Sequence, residues 1–165
     1  MHQIVYRSTA KRAFSASDLQ SMLLRFRSSN ARLGITGILL HSWSNFLQVL
    51  EGEQAEVEEL YARILDDPRH AEIARVDISL PRRLFNQWSM GFLDLSGAAR
   101  SMSGYAGFPS DIDLNEIDQT TILELLTFFS GALPPTMEST ADERTGTGFS
   151  AQPAPRHRID AKPLN

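Results

Sequence analysis

The chain has 165 residues, 42% of them apolar, which suits one domain with an ordinary core and a tail. Its 16 Lys and Arg against 20 Asp and Glu leave a net charge of -4, which argues against holding a nucleic-acid backbone by bulk charge. It contains no cysteine, which excludes disulfides, thiolate metal sites, cysteine nucleophiles and cysteinyl cofactor links.

Ile4-Val5-Tyr6 reads as a short apolar strand. Ser17, followed three residues later by Gln20, has the spacing of a capping box and predicts a helix start. Leu19, Met22, Leu23 and Phe26 then fall on one helical face, and the helix is expected to end near Ser29-Asn30. Gly34-Ile35-Thr36-Gly37 turns into a strand over 38–41, and Ser44-Asn45 turns back into Phe46–Leu50, a predicted hairpin. A second helix begins after Gly52, with Glu53 and Glu56 favourably placed at its positive end. Its apolar face is Val57, Leu60, Tyr61, Ile64 and Leu65, and Pro68 stops it. Strands are expected over 74–79 and 87–95. A third helix, Leu114 to Ser130, carries Ile117, Leu125, Leu126 and Phe129 and ends at Gly131.

The order βαββαββ predicts an α+β, ferredoxin-like sandwich: one mixed sheet, two helices on one face, and a C-terminal helical extension. The first and third strands are expected side by side and parallel at its centre. The third helix is free to cover the other face or a partner. From Pro134 onward the chain holds five of its eight prolines and no apolar periodicity. A stretch of that kind does not offset ~1–2 kcal/mol of backbone entropy per residue, so 134–165 is expected to be a disordered tail. No apolar run approaches the ~20 residues of a membrane helix, and Met1–Tyr6 opens no basic-then-apolar leader, so a cytoplasmic protein is expected.

Several residues stand out against a pure core. Phe46, Gln48 and Leu50 share one face of the third strand by alternation, which sets an amide among apolar neighbours. Unpartnered, it would cost about 1–3 kcal/mol, and Tyr6 on the neighbouring strand is the natural partner. Taken alone, a satisfied structural pair, or a Gln facing solvent, is the plainer reading. Asn30 has the ordinary use of a left-handed helix end. Arg63, Arg69 and His70 read by themselves as a solvated cluster. Trp88 and Met90 alternate onto one face of the last strand and, with Met22 and Ile64 on the helices, read as core. The four histidines show no metal-ligand spacing. Phosphate-binding glycine motifs and the Gly-x-Ser-x-Gly elbow are absent.

The words "IVYRS", "SSNARLGITGILL", "NFLQVLEGE", "LYARILDDPRH" and "NQWSMGFLDL" follow one another from Ile4 to Leu95. In that order and spacing they resemble the BLUF domain, the family of blue-light receptors that hold a flavin, normally FAD. The resemblance covers about residues 2–95 and implies a photosensor domain over 1–97, an extension over 98–133, and the tail. It implies ring contacts from Met22 and Ile64 between the two helices, and Phe46 lining the same pocket. It implies a hydrogen bond from Asn30 to the ring's polar edge, and Gln48 between the flavin and Tyr6. Arg63, Asp67, Arg69 and His70 match a region that holds the ring edge or the ribityl phosphate, and Arg32 joins them on charge alone. Trp88 and Met90 match the segment that relays the signal, one or the other packing near Gln48. Ser29 lies at a position that varies in the family. Phe26 replaces a small polar residue of some members and is expected to make no flavin hydrogen bond.

The implied mechanism is light-driven: Tyr6 gives the excited flavin an electron and then a proton, Gln48 relays the proton, and the network returns rearranged with a small red shift. The reading is a sensor without turnover that signals to a separate protein, with a homo-oligomer open, and with no nucleic acid, membrane or metal. A flavin-dependent oxidoreductase and a flavin-free ferredoxin-like interaction module are the alternatives.

Overall fold

The computed structural model describes residues 1–95 and 112–132; the expected tail over 134–165 and most of the stretch before the third helix lie outside the described residues. The elements are β1 (His2–Ala10), α1 (Ala16–Leu33), β2 (Thr36–Ser42), β3 (Asn45–Gly52), α2 (Gln54–Leu65), β4 (His70–Arg75), β5 (Gly91–Asp94) and α3 (Gln119–Ala132). They form one mixed sheet in the order β4-β1-β3-β2-β5. Only the β2–β5 pair is parallel. The expected βαββαββ sandwich is therefore present, but β1 and β3 run antiparallel. The reason is topological. A crossover through α1 sets β2 parallel to β1 with one strand's width between them, and the tight β2–β3 hairpin reverses the chain into that gap.

Alternation along the strands sorts the apolar residues into two cores. Ile4, Tyr6, Leu39, Phe46 and Leu50 face α1 and α2, and pack with Leu19, Met22, Leu23, Val57 and Tyr61. Val5, Ile38, Leu40, Leu47 and Val49 face the other way, against Ile122, Leu125, Leu126 and Phe129 of α3. The third helix thus covers the second face of the sheet; its apolar sequence includes Leu114, but the helix itself begins only at Gln119. The segment before it is pinned by polar contacts. Ser42 donates to Ile112 O (2.7 Å), Asn45 donates to Asp113 Oδ1 (2.6 Å) and Asn115 donates to Thr9 Oγ1 (2.8 Å).

Other boundaries also differ from expectation. The capping box is Ser15 with Asp18, not Ser17 with Gln20. Ser15 Oγ accepts from the Asp18 N–H while the Asp18 carboxylate accepts from the Ser15 N–H, each at 3.1 Å. Helix α1 runs past Asn30 to Leu33, because Gly34 takes the left-handed end (φ 63°) that Asn30 was expected to fill. The hairpin loop is Trp43-Ser44, with positive φ at Trp43. Strand β4 lies at 70–75 instead of 74–79, and β5 is confined to 91–94.

Gly37 is required by close approach: a Cβ there would stand 1.9 Å from the Val49 carbonyl oxygen. The β1–β4 ladder carries one extra residue on β4 between the Arg7–Ala74 and Thr9–Ala71 pairs, and Glu72 there has φ 52°. The bulge has a consequence for parity. Without it Ala71 would oppose Ala10; with it His70 does, and the imidazole shares the Tyr6 side of the sheet.

Candidate functional site

A narrow cleft opens between α1 and α2 over the central strands, with about 480 Å³ of space, its mouth included. Met22 and Phe26 from α1 and Leu60 and Ile64 from α2 form its walls, with Leu39 and Phe46 on the sheet. Tyr6, Asn30, Gln48, Asp67 and His70 supply the polar groups.

Tyr6 and Gln48 are cross-strand partners on β1 and β3, so their side chains leave the sheet on the same side. Both are buried. The Tyr6 hydroxyl donates to Gln48 Oε1, and Gln48 Nε2 donates to the Met90 thioether at 3.4 Å. Burial, reinforced by Tyr61 and Asp67, holds the Tyr6 hydroxyl well above the usual phenol range, so it is neutral and carries its proton. The Tyr61 ring lies 5.4 Å from Tyr6 at 56°, and the Arg75 guanidinium covers Tyr61 at 5.1 Å.

Asn30 stands in the last turn of α1. Its Nδ2 donates to Ser89 O at 2.8 Å, which leaves its carbonyl oxygen uncommitted. His70 Nδ1 lies 3.0 Å from Ser8 Oγ, and burial pushes the imidazole below its ordinary range despite the nearby Asp67. Asp67 receives the Arg69 guanidinium through two oxygens, and that pairing holds its carboxyl below the usual range. Arg69 also faces a shallow polar depression with Arg12, Arg25, Asp18 and Ser21, which shares Met22 with the cleft.

Eight of the expected contact residues thus meet at one cleft: Tyr6, Met22, Asn30, Phe46, Gln48, Ile64, Asp67 and His70. Arg69 adjoins it. Arg32 and Arg63 are exposed and line neither the cleft nor the depression. Sequence reasoning missed Leu39, Leu60, Arg12 and Arg25. Leu39 was findable, since it alternates with the residues of the second core; the two arginines carry no local signal.

Trp88 and Met90 were expected on one face of a strand and are on opposite faces. Met90 belongs to the core beside the cleft, while Trp88 packs in the α3 core with its ring 6.2 Å from Phe85. Alternation fails because 86–90 is not a strand.

Residues 1–91 match the family of sensors of blue light using FAD. The chain belongs to the BLUF family. As a BLUF protein it is 37% identical over 89 residues to the photoactivated adenylate cyclase subunit beta of Euglena gracilis, covering 53% of this chain and 10% of that one. To the blue light- and temperature-regulated antirepressor BluF of Escherichia coli (strain K12) it is 32% identical over 93 residues, covering 56% and 23%. The chain therefore spans less than a quarter of either relative. Among solved structures, the dark state of the BLUF protein BlrB superposes with a TM-score of 0.66 at 31% identity, over 79% of this chain and 96% of that one. The photo-activated state of BlsA gives 0.65 at 26%, over 78% and 93%.

The BLUF cofactor is FAD, and the residues present fit it. The cleft is a slot between two apolar helix faces, suited to a flat fused ring. The uncommitted side-chain carbonyl of Asn30 and the amide of Gln48 offer hydrogen-bonding groups at the same cleft. No helix among the described residues is long and apolar enough to cross a membrane.

Proposed function

We propose that the α1–α2 cleft holds the isoalloxazine of FAD, that Tyr6 and Gln48 are its photochemical partners, and that the chain signals to a separate cytoplasmic protein without turnover of its own. The observation that carries this is the buried chain Tyr6 hydroxyl to Gln48 carbonyl to Met90 sulfur, at a cleft flanked by Asn30. Met22 and Ile64 would clamp the two faces of the ring, and Asn30 its polar edge. The Arg12–Arg25–Arg69 depression is the better seat for the phosphates than Arg32 or Arg63, since it adjoins the cleft through Met22.

When bound, the flavin absorbs blue light and becomes a strong one-electron oxidant. Tyr6 is suited to answer it: the ring can release an electron, and the hydroxyl already points its proton at Gln48 Oε1. Gln48 both accepts and donates, so it can take up that proton and return with its carbonyl and amide ends exchanged. The exchange would cost it the Met90 contact, because a thioether accepts a hydrogen bond and donates none.

The test is an absorption spectrum of the purified protein in the dark, after a blue pulse, and during recovery. A flavin band that moves to the red and returns thermally is expected. A flavin band that does not move, or a colourless protein still empty after incubation with FAD, would overturn the proposal.

A further inference from the structure

Met90 sits on Gln48 only because the chain from Trp88 to Gly91 departs from the extended form. In an extended strand, residues two apart share a face. Here Trp88 lies in the α3 core and Met90 in the core beside the cleft. The departure is held by three consecutive carbonyls. Trp88 O accepts from the Gly37 N–H (3.1 Å), Ser89 O from Asn30 Nδ2 (2.8 Å), and Met90 O from Arg27 Nε (2.9 Å). Arg27 and Asn30 are three apart and so project from the same side of α1. One backbone bond from β2 and two side-chain bonds from α1 therefore replace the ladder that a strand would have made.

The held form carries a cost. The Trp88 indole N–H is buried without a partner, so the arrangement that keeps Trp88 in its core leaves a donor unsatisfied. Relaxing 88–90 toward a strand would bring Trp88 and Met90 to one side and compete for the place beside Gln48. Asn30 also faces the cleft, whereas Arg27 does not line it. The Arg27 Nε–H donates to Met90 O.

We infer that Arg27 is a positioning residue of the photosensor site: by gripping the Met90 carbonyl from α1, it keeps the Met90 thioether, and not Trp88, against Gln48. The Arg27–Met90–Gln48 geometry stands without a cofactor; only its importance for light sensing rests on the function proposed above.

The experiment uses the full chain with carbon-13 methionine methyl groups, in the dark, with and without FAD. Wild type is expected to show a cross-relaxation signal between the Met90 methyl and the Gln48 side-chain amide. Arg27→Met keeps the aliphatic stem and removes the donors; the ratio of seated to unseated Met90 should fall about tenfold, equivalent to ~1.4 kcal/mol. The Trp88 indole N–H resonance should move in the same variant. Arg27→Lys retains a donor and should give an intermediate signal, which also covers the case in which the Met variant fails to fold. Wild-type Met90 and Trp88 signals in the folded variants would overturn the inference. A wild-type protein that shows the contact but no red shift would sink the photosensor reading and leave the positioning role intact.

Discussion

Replacing Tyr6 by Phe isolates one oxygen atom. Tyr6 is 1% exposed, and its ring packs against Tyr61 at 5.4 Å, a contact that Phe retains. No cavity opens; the change strands the Gln48 carbonyl, which loses its donor. An unsatisfied buried acceptor costs about 1–3 kcal/mol, and because the lost hydroxyl no longer needs desolvating the net should lie near ~1–1.5 kcal/mol. At roughly 2–4 °C per kcal/mol for a chain of this size, Tm should fall by about 3–5 °C. FAD should remain bound, since the walls Met22, Phe26, Leu60 and Ile64 are untouched. The red-shifted state should be absent. The stability difference should also shrink in alkali. In the folded wild type burial keeps the Tyr6 hydroxyl protonated, while the unfolded phenol titrates near ~10. Above about pH 10 the unfolded chain releases a proton that the folded one keeps, so wild type loses up to ~1.4 kcal/mol per pH unit through this group. Tyr6→Phe has no such loss, so urea midpoints of the two proteins should converge between about pH 9 and pH 11. A Tyr6→Phe protein that still shifts red under blue light would refute the role assigned to the phenol.

Gln48→Leu should bind flavin yet give a spectrum that light does not move; a normal shift would take the switch away from Gln48. Gly37→Ala should cost about 3 kcal/mol or more, since the methyl meets a backbone carbonyl at 1.9 Å, and a urea midpoint within error of wild type would contradict the packing. Glu51 is fully buried and accepts from the backbone N–H of Leu84 and Phe85 and from Gln3 Nε2. In Glu51→Gln one backbone N–H must face an NH₂, a loss of about 2 kcal/mol by urea denaturation with the red shift retained. Burial lowers the proton affinity of His70 in the folded chain, whereas the unfolded imidazole takes a proton near ~6.5. Stability should therefore fall as pH drops below about 6.5, and His70→Gln should flatten that slope; identical slopes would remove His70 from the acid response.

Periodicity alone revealed both helix faces, the hairpin and the oddity of Gln48, because each depends on neighbours close along the chain. The five matched words supplied the cofactor and most of the cleft. What escaped depends on distant partners or on backbone without a local mark. The β4 bulge that turns His70 toward the cleft is made at Glu72, not at a glycine, so no residue type announces it. Ser15 and Ser17 are equal caps by identity, and the reach of Asp18 decided between them. Asn30 reads as a helix end until Gly34, which takes that conformation without strain, is set beside it. Trp88 and Met90 followed the two-residue rule on paper and broke it in space, because Arg27 and Asn30, some 60 positions away in sequence, hold their backbone.

That segment matters because the sheet separates its two cores. Gln48 faces the cleft, while its neighbours Leu47 and Val49 face α3. A rearranged Gln48 amide touches nothing in the α3 core directly. Two residues bridge the divide within one short stretch: Met90 carries the contact to Gln48, and Trp88 sits among the residues packed beneath α3. The carbonyls between them are held from α1 and β2, so the backbone that carries Met90 and Trp88 is fixed as one stretch. On the function proposed above, a thioether displaced by a turning Gln48 would couple the cleft to the far face of the sheet through backbone that Arg27 and Asn30 hold.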